Sequence, residues 1–410
     1  MRLAWLALGA CAAAVVVTVL LTVPFPVLPG AHPHVDVLRD FTQKQIDRER
    51  AFHADVRPPA YLSLAVSLVV AGILGLTRLG GRLVGGVPGH WTLKVLVGTT
   101  LVFALGQLAT LPFDVQAERA LRKFGLSTQD WAGWTDDLLR GLGIKVALTS
   151  LALVSVLAVA RKWPTTWWLP GAAVAIALTF VGSFAYPVVI EPAFNSFTPL
   201  PAGQLRTDLL DLAARDHVAI SDVLVADASR RTTALNAYVS GFGSTRRIVV
   251  YDTLLKQASD KEVELIVAHE LGHAKRGDVL HGTIIGAFAG ALGVIGLFLL
   301  LQWGALLSRV GAKSATDVRV VPLVLFLAAV APLLLSPLTN LVSRHIEARA
   351  DMHALDLTHD VPTYVESEKK LALTNLSDLS PNWLVYNLFY THPSDPQRLA
   401  LAREWQRLHP

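Results

Sequence analysis

Residues 264–280 read ELIVAHELGHAKRGDVL, and within them His269, Glu270 and His273 have the spacing His-Glu-x-x-His. On a helix, positions four apart share a face, so the two imidazoles point at one spot. Glu270 lies next to the first of them. Paired imidazoles suit a divalent metal, and an adjacent carboxylate suits the general base that takes a proton from water. A surface helix with two exposed histidines would carry the same string, so the pattern needs a third ligand to become a site. Catalytic zinc usually takes three protein ligands and keeps one position open. Cysteine cannot supply it in the usual way: the chain has one, Cys11, which excludes an intramolecular disulfide and a cysteine-based zinc site.

A candidate lies downstream in SRHIEARADMHALDL, residues 343–357. Glu347 and Asp351 again stand four apart on one helical face. Two long apolar runs separate His273 from Glu347, and an even number of membrane crossings returns the chain to its starting side. Glu347 can therefore meet the two histidines. Asp351 is then placed to hydrogen-bond the far nitrogen of a ligating histidine and fix its tautomer and orientation. His345 and His353 face away from Glu347 on the same helix and read as surface histidines.

The elements that must position these residues are largely membrane helices. Apolar residues make up 52% of the chain and charged residues 17%, against about 25% charged in soluble domains. Mean hydropathy is +0.46. Seven apolar runs approach the ~20 residues that cross a bilayer as helix: 3–23, 61–79, 92–111, 142–160, 169–189, 283–303 and 320–342. Cys11 sits inside the first run, which continues well past it, so a membrane helix is the better reading than a lipoprotein signal. That run is also longer than a signal-peptide core and lacks a clear cleavage site. Trp167, Trp168 and Trp303 fall at run ends, where interfacial tryptophans belong. The bias of Lys and Arg around the runs predicts an outside N-terminus and a cytoplasmic catalytic side. The net charge of +4 is small and scattered, which gives no nucleic-acid signal.

The polar remainder divides the chain into four parts. Residues 1–190 form a membrane region of five spans. Residues 191–282 form a peptidase region containing the His-Glu-x-x-His helix. Residues 283–342 form a two-span hairpin, and residues 343–410 a peptidase tail with the third ligand. QLRTDLLDLAARD has helical spacing, while VAISDVLVAD and RRIVVYD have the β-branched content of short strands. SGFGSTRR reads as a hairpin turn. Ser259, with Glu262 three residues later, predicts a capping box at the start of the metal helix. Gly282, Gly286 and Gly290 have small-xxx-small spacing, which would pack the sixth span closely and position the metal helix.

These pieces resemble the CaaX prenyl protease 1 type of integral-membrane zinc metallopeptidase. The similarity rests on IEPAFNSFTPLPAGQLR, NAYVSGFGSTRRIVVYDTLL, VAHELGHAKRGD, SRHIEARAD and THPSDPQRL, in that order. It implies a mainly α, polytopic membrane protein with about seven transmembrane helices. It also implies a gluzincin-like zinc metallopeptidase domain containing a small β-sheet. One Zn2+ per chain would be held by His269, His273 and Glu347, with Glu270 as base. NAYVSGFG would be an edge strand that binds substrate through Asn236, Ala237 and Tyr238, by main-chain hydrogen bonds. His392 and Arg398 would lie near the substrate carbonyl, His392 stabilising the oxyanion with Arg398 in support.

The implied substrates are membrane-associated or CaaX-type C-terminal peptides, lipid-modified ones included, met at the bilayer. The Ala-, Leu- and Val-rich, lysine-poor composition suggests a bacterial cell membrane, where a general role on membrane-associated peptides is as apt as prenyl-protein processing. A site-2-type intramembrane protease is disfavoured, because Lys261, Glu262, Glu264, Lys275, Arg276 and Asp278 flank the motif and would be costly in lipid. The remaining alternatives are a heat-shock-type membrane quality-control protease, whose relatives have fewer spans, and a scaffold that has lost catalysis.

Overall fold

The computed structural model describes residues 1–410. Seven of its helices are long and apolar enough to cross a membrane. The first five principal helices are α1 (Arg2–Thr22), α2 (Gln43–Leu76), α3 (Trp91–Lys123), α4 (Trp131–Lys162) and α5 (Trp168–Ala185). A small mixed region follows, with β1 (Phe197–Pro199), α6 (Gln204–Arg215), β2 (Asp222–Ala226), β3 (Ala237–Ser240), β4 (Arg247–Tyr251) and α7 (Asp260–Arg276). Then come α8 (Asp278–Leu300), α9 (Val321–Thr358), α10 (Val361–Thr374), α11 (Trp383–Phe389) and α12 (Asp395–Leu408).

Several membrane helices outrun the apolar runs that announce them. Hydropathy marks only the lipid-matched stretch, whereas backbone hydrogen bonding continues wherever a cap or a packing face supports it. Helix α2 begins at Gln43, well before residue 61, where Thr42 and Gln45 close a capping box. Helix α9 continues past residue 342 to Thr358, so Glu347 and Asp351 stand on the same continuous helix as the seventh apolar run. The fifth run is likewise outrun: α5 passes at Ala185 into a π-helical turn, Tyr186–Ile190, and the helical span continues to Phe194.

The sheet has the order β1-β2-β4-β3. β1 runs antiparallel to β2 and β2 parallel to β4. β3 runs antiparallel to β4, with Ala237 opposite Val250. β3 is therefore an edge strand, and the SGFGSTRR segment joins it to β4 as a hairpin. Val223, Ile248 and Val250 are fully buried and pack with Leu209, Val263, Val267 and Leu271 into the core of the peptidase region. A separate apolar core lies among the membrane helices.

Helix α7 begins with the Ser259–Glu262 capping box and ends at Gly277, whose left-handed φ of +67° lets the chain turn directly into α8. The metal helix is thus joined to a membrane helix without a loop. The glycine stripe on α8 does a different job from the one its spacing suggests. A Cβ at Gly286 would stand 3.6 Å from Thr179, and one at Gly290 would stand 3.7 Å from Ala175, while Gly282 faces open space. The stripe therefore seats α8 against α5, not against α7. The close approach that does shape the metal helix is at Gly272, inside the motif. A Cβ there would meet the His353 side chain at 3.0 Å, so Gly272 lets α9 lie close against α7.

Candidate metal centre

His269 and His273 on α7 and Glu347 on α9 bring one ligand atom each within 4.8 Å of one another. The two Nε2 atoms are 3.2 Å apart. Glu347 Oε2 lies 3.3 Å from His269 Nε2 and 3.5 Å from His273 Nε2. Bonds of about 2.0–2.2 Å to a tetrahedral ion would separate its ligand atoms by roughly 3.3–3.5 Å, so the three spacings match three edges of such a site. Glu347 Oε2 is also buried without a hydrogen-bond partner.

The tautomers point the same way. His269 Nδ1 lies 2.8 Å from Asp351 Oδ1, and His273 Nδ1 lies 2.9 Å from Asp278 Oδ2. A carboxylate at each Nδ1 holds the proton there and leaves the Nε2 lone pair facing its counterpart. Two lone pairs and a carboxylate oxygen converging in a protected site need a cation between them. The donor set therefore fits a metal ion of the zinc class.

Each histidine has its own carboxylate, and each carboxylate has its own arginine. Arg398 donates from Nε to Asp351 Oδ2 at 2.9 Å and from Nη2 to Oδ1 at 2.5 Å. Its remaining Nη1 pairs with Glu368 Oε2 at 2.5 Å. Arg349 donates from Nη2 to Asp278 Oδ1. It also donates from Nη1 to the carbonyl of Thr22, at the end of α1, at 2.6 Å.

Burial opposes protonation of His269, but the bond to Asp351 and the nearby Glu347 carboxylate outweigh it and push its pKa up to about 10. The same opposition, with Asp278 and Glu347 winning, pushes His273 up to about 9. A metal ion entering must then displace protons, which ties its affinity to pH. Burial raises the pKa of Glu270, with the two histidines pulling it back down. Burial likewise pushes Glu368 up to about 8 against the pull of Arg398.

A cleft of about 480 Å3 opens beside these groups, lined by Asn236, His269, Glu270, Tyr364 and His392 among others. Glu270 faces it from α7. His392 is exposed at its rim, with Nε2 3.1 Å from Glu347 Oε2. Arg398 lines the same cleft but is placed differently from the expectation that it supports the oxyanion. Each of its guanidinium nitrogens meets Asp351 or Glu368, so its contacts position those two carboxylates rather than a substrate oxygen.

The edge strand also differs from its expected role in detail. Asn236 is exposed on the cleft wall, and its carbonyl accepts from Tyr251 N–H at 3.0 Å. In an antiparallel ladder alternate residues bond to the partner strand. Tyr238 therefore turns its main chain inward to β4, while Ala237 and Val239 present theirs at the free edge. The Ala237 side chain is buried in the core, so only its backbone is available. Val239, at the free edge beyond Tyr238, is the residue that sequence reading missed. His353 is likewise no surface histidine. It is half-buried, and its Nε2 lies 2.9 Å from Asp216 Oδ2, while Lys275 binds the other oxygen of Asp216 at 2.6 Å. His345 is also half-buried, with its ring against Phe25.

Asp278 and Arg349 were visible in the sequence only as charges flanking the motif and the membrane runs. Their placement has a local signal in hindsight: Gly277 ends α7, so the next residue folds back beside His273. Glu368 carries no such signal, because only the packing of α10 brings it to Arg398.

A multi-pass bundle of seven membrane helices, joined to a small sheet and a His-Glu-x-x-His helix, defines the class as a membrane metallopeptidase. The model of peptidase family M48 matches residues 199–406. The model described as CAAX prenyl protease N-terminal, five membrane helices, matches residues 60–196. The chain belongs to peptidase family M48. It is 30% identical to the uncharacterized metalloprotease YhfN of Bacillus subtilis, over 75% of this chain and 73% of that protein. It is 31% identical to the CAAX prenyl protease 1 homolog of Arabidopsis thaliana, over 75% of this chain and 72% of that protein. The crystal structure of S. mikatae Ste24p shares its fold, with a TM-score of 0.80 at 21% identity, covering 97% of this chain and 98% of that one.

Proposed function

We propose that the chain is a zinc endopeptidase that hydrolyses peptide bonds of membrane-associated substrates. One Zn2+ per chain is held by His269, His273 and Glu347. The observation that supports this most is the set of ligand spacings, 3.2, 3.3 and 3.5 Å, with an orphaned buried carboxylate oxygen among them. When bound, the zinc supplies a Lewis acid that polarises the scissile carbonyl and acidifies water.

The chain's own residues do the rest. The substrate backbone pairs with the free edge of β3 at Ala237 and Val239, with Asn236 beside it. Glu270 accepts a proton from the attacking water and returns it to the leaving amine, a task its raised pKa suits. His392, at the cleft rim, donates to the oxygen that becomes negative. Arg398 keeps Asp351, and through it His269, in place. In this reading residues 191–282 and 343–410 make the peptidase, and residues 1–190 and 283–342 make its membrane frame. The match to the five-helix N-terminal family covers the part that a shorter heat-shock-type protease would lack, which favours the CaaX-type reading. We place the catalytic side in the cytoplasm of a bacterial cell, from the charge bias and the composition.

Glu270→Gln should retain zinc and lose hydrolysis. Terminal proteomics of native membranes, wild type against Glu270→Gln, would then show which C-terminal or internal cuts disappear. Identical termini in the two strains would remove the protease reading. His392→Ala should lower turnover by about 10²–10³, the usual cost of one oxyanion donor, with zinc content unchanged; loss of the metal would show that His392 is a ligand instead.

A further inference from the structure

Helix α11 has the sequence WLVYNLF, with no charged residue. Trp383 is 78% exposed and Leu384 58%, an adjacent apolar pair that nothing in the chain covers. The helix is fastened to α9 at a defined level. Asn340 donates to the carbonyl of Asn387 at 3.0 Å, and Arg344 donates to the carbonyls of Tyr386 and Tyr390 at 3.2 and 2.8 Å. Both Asn340 and Arg344 are buried by this contact. Arg344 also meets the carbonyl-rich end of α11, where a cation is favoured.

The same stretch of α9 exposes Leu334, Leu335, Leu338 and Leu341. On a membrane helix those side chains face lipid. Asn340, which holds Asn387, stands between Leu338 and Leu341 in sequence, so α11 is fastened at the level of this apolar face. At its other end α11 stacks Phe389 on Tyr61 of α2, ring centres 5.6 Å apart, where the second apolar run begins.

We propose that α11 lies in the bilayer interface, with Trp383 and Leu384 seated among the lipids. Tryptophan favours that layer, and a short helix with one apolar face and its polar atoms tied to protein lies in it stably. The seat has a consequence for the site. Helix α11 runs within three residues into His392, whose ring reaches Glu347. Lipid contact therefore fixes the height of the segment that carries His392, and couples the cleft rim to the membrane. The inference rests on the membrane placement of α9 and not on the identity of the metal or substrate.

The test uses the full chain in lipid nanodiscs. With Cys11→Ala as background, Trp383→Cys and, separately, Leu384→Cys are labelled with an environment-sensitive fluorophore. Lys261→Cys, on the exposed start of α7, serves as the aqueous control. The emission at 383 and 384 should shift to the blue relative to 261. Lipids carrying a nitroxide near the headgroup should quench both sites, and iodide in the buffer should quench them less than the control. Iodide quenching equal to that at 261 would show the helix open to water. Shielding from both quenchers would show it covered by protein. Either result overturns the proposal.

Discussion

The two histidines of the candidate metal centre are held by partners of the same kind in different surroundings. His269 leans on Asp351, which is fully buried and bound by Arg398; Arg398 in turn holds Glu368. All three partners belong to the peptidase tail, on α9, α12 and α10. His273 leans on Asp278, the first residue of a membrane helix, and Asp278 is bound by Arg349, which also holds the end of α1. One relay closes within the peptidase; the other fastens the metal helix to the bundle. The first is a dry network in which Arg398 spans two buried carboxylates. The second is partly solvated and has a backbone carbonyl in reserve.

That difference predicts unequal responses to the same cut. Asp351→Ala should have the largest effect. Losing the partner of a ligating histidine typically costs about 10–100-fold in metal affinity. It also leaves Arg398 buried with one carboxylate instead of two, which should cost toward the lower end of the roughly 3–5 kcal/mol seen on breaking buried pairs. Zinc titration and thermal unfolding in detergent read the two costs separately. Asp278→Ala should weaken zinc by about tenfold but cost only about 1–2 kcal/mol of stability, because Arg349 keeps its bond to Thr22. Equal losses of stability in the two variants would erase the comparison.

Gly272→Ala tests the close packing that both relays need. The added methyl must displace His353, at a cost of about 1–3 kcal/mol, and zinc affinity should fall with stability because α9 carries Glu347. The smallest effect belongs to His353→Ala. Asp216 keeps Lys275, so about 1 kcal/mol is lost, and zinc binding should hold. A loss of zinc in that variant would place His353 closer to the metal than its bond to Asp216 implies.

The parts of this site that follow a period were legible in the sequence. His269, Glu270 and His273 announce themselves by helical spacing, and Glu347 with Asp351 by the same spacing after an even number of crossings. The span count came from hydropathy alone, since seven runs of the right length have few other uses. The limits of the helices were less legible, because apolar composition reports lipid and not hydrogen bonding; α2 and α9 continue where hydropathy ends. Arg398 looked like a substrate group because only its neighbours in space show that it holds Asp351 and Glu368. Asp278 looked like one more charge flanking the motif, and nothing in the spacing of Arg349 ties it to Asp278. In each of these cases the missing information was a contact between distant segments.

The central claim is that His269, His273 and Glu347 bind one zinc. X-ray absorption at the zinc edge of the purified, zinc-loaded chain tests it most directly. The account predicts a four-coordinate spectrum with two imidazoles at about 2.0–2.1 Å and the remaining ligands oxygen at about 2.0–2.2 Å, and loss of stoichiometric zinc in Glu347→Ala. A spectrum with a single imidazole, or full zinc retention in Glu347→Ala, would contradict it.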